Sequence, residues 1–262
     1  MTVHDHRAAE SKLRREFLIG TVLIAFPLAA VLISTPEIDL GLSAAVRHAC
    51  EPVPAGYPWC PTRTIVTARN VFIGLFVVVA LATLAVTLSV MLSERRLFGF
   101  RQTRCLFVIA ALIVGPGVVA NLVFKDNMGR ARPREVVEFG GTKLFTPPLL
   151  PSGECRQNCS FVSGEASSHF AAFFALAFVL PQFRTALIVV ALAAGGFAGA
   201  IRIVQGGHFL SDVVFAGIIM AFTVSVLHIA IIGLWQDQKP RWRARLARSL
   251  PWRVLPFART RG

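Results

Sequence analysis

The stretch Arg202-Ile203-Val204-Gln205-Gly206-Gly207-His208-Phe209-Leu210-Ser211-Asp212 places a cation, an imidazole and a carboxylate between two apolar runs. A charge at bilayer depth costs roughly 2.5–3.5 kcal/mol, so residues of this kind face a polar cavity and mark a function. If the chain is helical from Phe209 onward, His208 and Asp212 stand four apart on one face. The carboxylate then holds one ring nitrogen and aims the other outward, as in an oriented nucleophile or base. A His and an Asp that merely cap and pair at a helix start give the same spacing.

The runs on either side extend to a pattern over the whole chain. Apolar segments of about the ~20 residues that span a bilayer lie at Phe17–Ser34, Ile65–Leu92, Cys105–Phe124, Ser163–Leu180, Ala186–Ile203 and Phe209–Trp235. Gly115-Pro116-Gly117 is expected to kink the third. Residues 35–63 and 134–160, rich in turn formers, read as loops. The expected fold is all-α, a bundle of six transmembrane helices over 17–235 between basic tails at 1–16 and 236–262. The chain of 262 residues is 55% hydrophobic with a mean hydropathy of +0.63, as one integral-membrane domain requires. A cleaved signal peptide is the rival reading of Phe17–Ser34, but the run is long for one and no small-x-small cleavage site follows it. The net charge of +13 would suggest nucleic acid for a soluble protein. Here the cations flank apolar runs and no nucleic-acid motif appears, so that partner is set aside.

The charges also give a sidedness. Of the 27 Lys and Arg, 17 fall in the two tails, in 93–104 and at Arg184, and ten on the other side of the six spans. The positive-inside rule makes both tails cytoplasmic. The stretch 202–212 then opens on the outer, periplasmic face of a bacterial inner membrane. Four of the five cysteines lie in the two outer loops, where Cys50 with Cys60 and Cys155 with Cys159 are placed for local disulfides in an oxidising space. A metal site of four thiolates is the alternative; neither Cys-x-x-Cys spacing nor a His pair supports it.

Two more clusters sit at the outer ends of apolar runs. Lys125-Asp126-Asn127-Met128-Gly129-Arg130-Ala131-Arg132-Pro133 closes one, and Ser163-Gly164-Glu165-Ala166 opens another. Lys125, Arg132 and Arg202 can neutralise the oxygens of a phosphoryl group, and Ser163 and Gly164 offer a hydroxyl and unobstructed N–H groups at a helix start. Snorkelling cations that bind anionic headgroups are the bland alternative. Arg130, Arg134 and Lys143 would add charge at the mouth and contact a large headgroup, or simply be solvated.

Lys-x6-Arg-Pro, Ser-Gly-x-Ala and Arg-x5-His-x3-Asp, in that order from Lys125 to Asp212, resemble the three-part signature of the type 2 phosphatidic-acid phosphatase superfamily. The resemblance implies that His208 attacks phosphorus and becomes a phosphohistidine and that Asp212 orients it. Lys125, Arg132, Ser163, Gly164 and Arg202 would hold the phosphate, with no metal and no cofactor. The family's middle motif reads Pro-Ser-Gly-His, where this chain has Val162-Ser163-Gly164-Glu165, and its third begins Ser-Arg where this chain has Ile201-Arg202. Glu165 is the expected replacement for the family's general acid; His169, one turn on, could pair with it, act itself, or simply pack. The substrate implied is a phosphorylated membrane lipid: a phospholipid phosphate, a polyprenyl diphosphate or lipid A. The stretches 130–134, 139–141 and 159–164 look most like the lipid A phosphatases. A phosphotransferase, or a transporter that kept the pocket without turnover, are the rival readings.

Overall fold

Apolar segments in hydrocarbon must pair their own backbone N–H and C=O groups, which a helix does within one segment. The computed structural model describes residues 3–50, 59–93 and 102–233, and among them it is all-helical, with no strand. The elements are α1 (Val3–Ser34), α2 (Glu37–Ala49), α3 (Arg63–Ser93), α4 (Gln102–Ile113), α5 (Gly164–Val179), α6 (Arg184–Val204) and α7 (Leu210–His228). At Gly115-Pro116-Gly117, where Pro116 has no N–H to give, α4 passes into π-helical winding over Val114–Lys125. A change of winding thus stands where a kink was expected. The tail from 236, together with Arg95, Arg96 and Arg101, lies outside the described residues.

Among the described residues, five helical stretches are long and apolar enough to cross a membrane: Arg15–Ser34, Arg63–Ser89, Thr103–Lys125, Pro181–Val204 and Leu210–Gly233. Their outer faces carry large apolar side chains in the open, such as Phe26 at 80% and Val78 at 62% exposure, as lipid-facing helices do. The sixth expected span is α5, with 16 residues, 11 of them buried. A helix apolar all round belongs inside a bundle. There α6, α7, α4 and the π-helical segment pack around α5. Phe170 and Phe174 of α5 stack at 5.9 Å, and Phe17 of α1 meets Phe174 edge-on at 5.7 Å. A Cβ on Gly195 of α6 would stand 2.6 Å from the Phe170 ring, so only glycine allows this approach.

Residues 35–63 are not the plain loop expected. Helix α2 occupies Glu37–Ala49 and packs on α6 and α7. Its buried residues are Asp39 and Ser43, while Ile38 and Leu42 are exposed. Leu40 and Val46 pack partly against the core, but the fully buried positions are polar where an amphipathic helix on an apolar core would place apolar ones, and this hid the helix from a reading based on apolar periodicity. Glu37 and Asp39 in its first turn and Arg47 in its last complement the helix dipole. Cys50 at its C-terminus is disulfide-bonded to Cys60, with Cα atoms 5.3 Å apart, and Cys155 pairs with Cys159 at 5.6 Å. Cys105 is free and buried.

Antiparallel connection brings the end of the π-helical segment, the start of α5, the end of α6 and the start of α7 to one end of the bundle. All three clusters therefore meet there, joined by the segment 126–163.

Candidate active site

His208 lies in the turn between α6 and α7 and is 2% exposed. Gly206 makes that turn with φ +63°, a backbone that favours glycine, and a Cβ there would also strike the Trp59 ring at 2.8 Å. His208 Nδ1 is 2.7 Å from the carbonyl oxygen of Ser160. A carbonyl can only accept, so Nδ1 carries the proton and Nε2 keeps its lone pair. Burial pushes the imidazole pKa down to about 4, against the pull of the Asp212 carboxylate, so the ring is neutral at physiological pH.

Asp212 acts on this ring differently from the expected direct bond. His208 precedes α7, and Asp212 Oδ2 stands 3.6 Å from Nδ1, beyond hydrogen-bond reach. That oxygen instead accepts from the Ser160 hydroxyl at 2.5 Å and from the Phe209 N–H at 2.8 Å. Asp212 thereby holds Ser160, whose carbonyl fixes the imidazole, and it contributes its charge across the short gap.

The other oxygen of Asp212 accepts from Arg130 Nη1 at 2.5 Å. Arg130 is 1% exposed and engaged throughout: Nε donates to the Thr146 carbonyl, Nη1 also to Ser211 Oγ, and Nη2 to Asp39 Oδ2 at 2.8 Å. Its guanidinium lies 4.3 Å from the Phe209 ring centroid. The headgroup contact expected of Arg130 is thus corrected: the residue is a buried anchor between two carboxylates. Asp39 and Ser160 were not singled out in the sequence. An acid just past the end of the first apolar run was the available signal for Asp39; a serine before Ser163 offered none.

The cations form the open side. Lys125 Nζ lies beside the start of α5, 3.4 Å from where a Cβ on Gly164 would stand, so the ammonium and the first amides of α5 border the same space. Ser163 Oγ is buried without a hydrogen-bond partner. An unpaired buried donor of this kind is costly and suits an incoming acceptor. The Arg202 guanidinium folds over Gly207, where a Cβ would stand 2.6 Å from Nη2, and its Nη1 donates to Gln205 Oε1 at 2.5 Å. Arg132 is 7% exposed and donates to the Asn158 carbonyl; burial, and then Arg134, pull its pKa below the ordinary value. Lys143 is paired with Glu135 at 2.8 Å. Burial would raise the Glu135 pKa, but Lys143, the Arg132 N–H and the Arg134 charge together hold the carboxyl below its usual range.

Glu165 does not present a free carboxyl. Arg69 Nε donates to Oε1 and Oε2 at 3.0 and 3.1 Å and its Nη2 to Oε1 at 2.7 Å, while Arg202 Nε lies 3.4 Å from Oε1. Both oxygens are occupied, so the geometry makes Glu165 an anchor for two guanidinium groups in place of the expected proton donor. Arg69, inside an apolar run of α3, was missed, though an intramembrane cation was the signal. His169 spans from the Glu165 carbonyl at 2.8 Å to the Phe72 carbonyl at 3.1 Å and so ties α5 to α3.

Comparison with known proteins gives matching results. A family model described as the PAP2 superfamily matches residues 102–236. A protein named lipid A 4′-phosphatase from Francisella tularensis subsp. novicida is 42% identical over 133 residues, which are 50% of this chain and 60% of that protein. Proteins of the same name from Rhizobium etli and Rhizobium leguminosarum are 31% identical over 248 residues and 32% over 202. The first match covers 89% of this chain and 96% of the relative, the second 77% and 84%. No solved structure matches the chain.

Proposed function

The chain belongs to the PAP2 superfamily, and from that premise we propose that it is a phosphatase that removes a phosphate monoester from lipid A through a phosphohistidine at His208. It acts from the periplasmic face of a bacterial inner membrane, with α5 as the sixth crossing. The observation that carries the mechanism is the bond from His208 Nδ1 to the Ser160 carbonyl, which leaves Nε2 unprotonated, with Lys125 and Arg202 close enough to act on the ring. The Nε2 lone pair attacks phosphorus as the bond to the lipid oxygen breaks. Lys125, Arg132 and Arg202, with the Ser163 hydroxyl and the first amides of α5, hold the phosphoryl oxygens as charge moves onto them. The lipid alkoxide takes a proton from water. A second water, giving its proton to the hydroxide left by that step, then attacks phosphorus, the P–N bond breaks, its pair returns to Nε2, and hydrogen phosphate leaves.

Lipid A is favoured by the printed names of the relatives. The outer face is favoured by the distribution of Lys and Arg and by two disulfides at the site end of the bundle, which persist in an oxidising compartment. Phosphate release by purified protein, measured on lipid A, phosphatidic acid and a polyprenyl diphosphate, tests the reading. Lipid A should be hydrolysed by the wild type and not by His208→Ala. Failure to release phosphate from lipid A while turning over another lipid would replace the substrate, and release from none would overturn the activity.

A further inference from the structure

A phosphoryl group on Nε2 of a ring that keeps its Nδ1 proton makes that ring cationic. The surroundings of His208 are charged for that state rather than for the resting one. Two buried carboxylates, Asp39 and Asp212, at 1% and 0% exposure, share one buried guanidinium, that of Arg130. Asp39 is an acceptor only: Oδ1 takes the Ser211 N–H at 2.9 Å, and Oδ2 takes the Ser211 hydroxyl at 2.5 Å and Arg130 Nη2 at 2.8 Å. With Asp212 alone, Arg130 would cancel the charge beside the ring. With Asp39 present the pocket holds one negative charge beyond what Arg130 balances. The other charged groups that act on His208 are the cations Lys125 and Arg202 and the carboxylate Glu165, which Arg69 and Arg202 already pair, so the substrate's own oxygens are left to meet Lys125 and Arg202.

We propose that Asp39 of α2 is a positioning residue for the phosphoryl transfer: by dividing Arg130 with Asp212 it leaves Asp212 free to balance the cationic ring of the phosphorylated His208. Asp39 touches neither substrate nor the reacting atoms and acts through Arg130, Ser211 and Asp212. The inference rests on the phosphohistidine reading above. It separates the two half-reactions. Attack by Nε2 creates the ring charge and needs Asp39, whereas attack of water on the phosphoenzyme discharges the ring and does not.

Rapid quench with lipid A radiolabelled in its phosphate gives both rate constants per active molecule, independent of the fraction folded. In Asp39→Asn the phosphorylation step should slow by about tenfold, the size of one pKa unit for a charge one residue removed. Hydrolysis of the phosphoenzyme should be unchanged or faster. Asp39→Ser, a smaller neutral residue, should show the same split, and Asp39→Glu should lie nearer the wild type. Equal slowing of both steps, or no slowing of either, would overturn the role of Asp39. Absence of a phosphoenzyme in the wild type would instead overturn the mechanism on which it rests.

Discussion

Glu165 occupies the position where the resemblance places a general acid, yet both its oxygens are bound to arginines. Glu165→Gln should therefore loosen Arg202 and Arg69 and weaken phosphate binding, with the same loss for alkyl and activated aryl phosphates. A loss confined to the poor alkyl leaving group would restore the proton-donor role. Gly207 is equally local: a methyl there meets Arg202 Nη2 at 2.6 Å. Gly207→Ala should cost about ten- to a hundredfold in kcat/KM, as displacement of one charge-assisted phosphate contact does. An unchanged kcat/KM would mean that Arg202 does not hold substrate. His208, with a folded pKa of about 4 against ~6.5 unfolded, binds a proton in the unfolded state first. Its contribution to stability is thus complete above pH ~6.5 and is lost as pH falls toward 4. NMR of isotope-labelled histidine, with His208→Asn as the assignment control, should show this ring titrating below pH 5, and titration near 6.5 would contradict its burial as a neutral base. The motif residues were legible because charged and hydroxyl groups at the ends of apolar runs have few reasons to be there. The roles of Arg130 and Glu165 were not, since neighbours in sequence gave no hint of Asp39 or Arg69.

At the scale of elements, the five long helices and α5 follow from apolar run lengths, whereas α2 was misread as loop. Its two fully buried residues are the polar Asp39 and Ser43, while Ile38 and Leu42 are exposed and only Leu40 and Val46 pack partly against the core, so a search for a buried apolar stripe finds too little there. Its polar hold on the bundle runs through Asp39 to Arg130 and Ser211, beside the partial packing of Leu40 and Val46. Arg130→Met would leave two buried carboxylates unpaired and should destabilise the protein by about 3–5 kcal/mol. A thermal melt in detergent reads that loss. A melting temperature within error of the wild type would show that Asp39 and Asp212 do not depend on Arg130.

For the whole molecule, the bundle architecture gathers three distant clusters at one end, and sidedness then decides which compartment the phosphatase serves. A cysteine replacing the exposed Glu138, at the site end, should react with an impermeant thiol reagent in intact spheroplasts. One replacing the exposed Gln182, between α5 and α6 at the opposite end, should not. The reverse labelling would put the site in the cytoplasm. Chemistry and substrate are joined in one measurement, mass spectrometry of the protein quenched during turnover of phosphate-labelled lipid A. The account predicts an acid-labile, base-stable phosphate on His208, absent in His208→Asn. Phosphate release with no phosphorylated protein, or with the label on another residue, would contradict it.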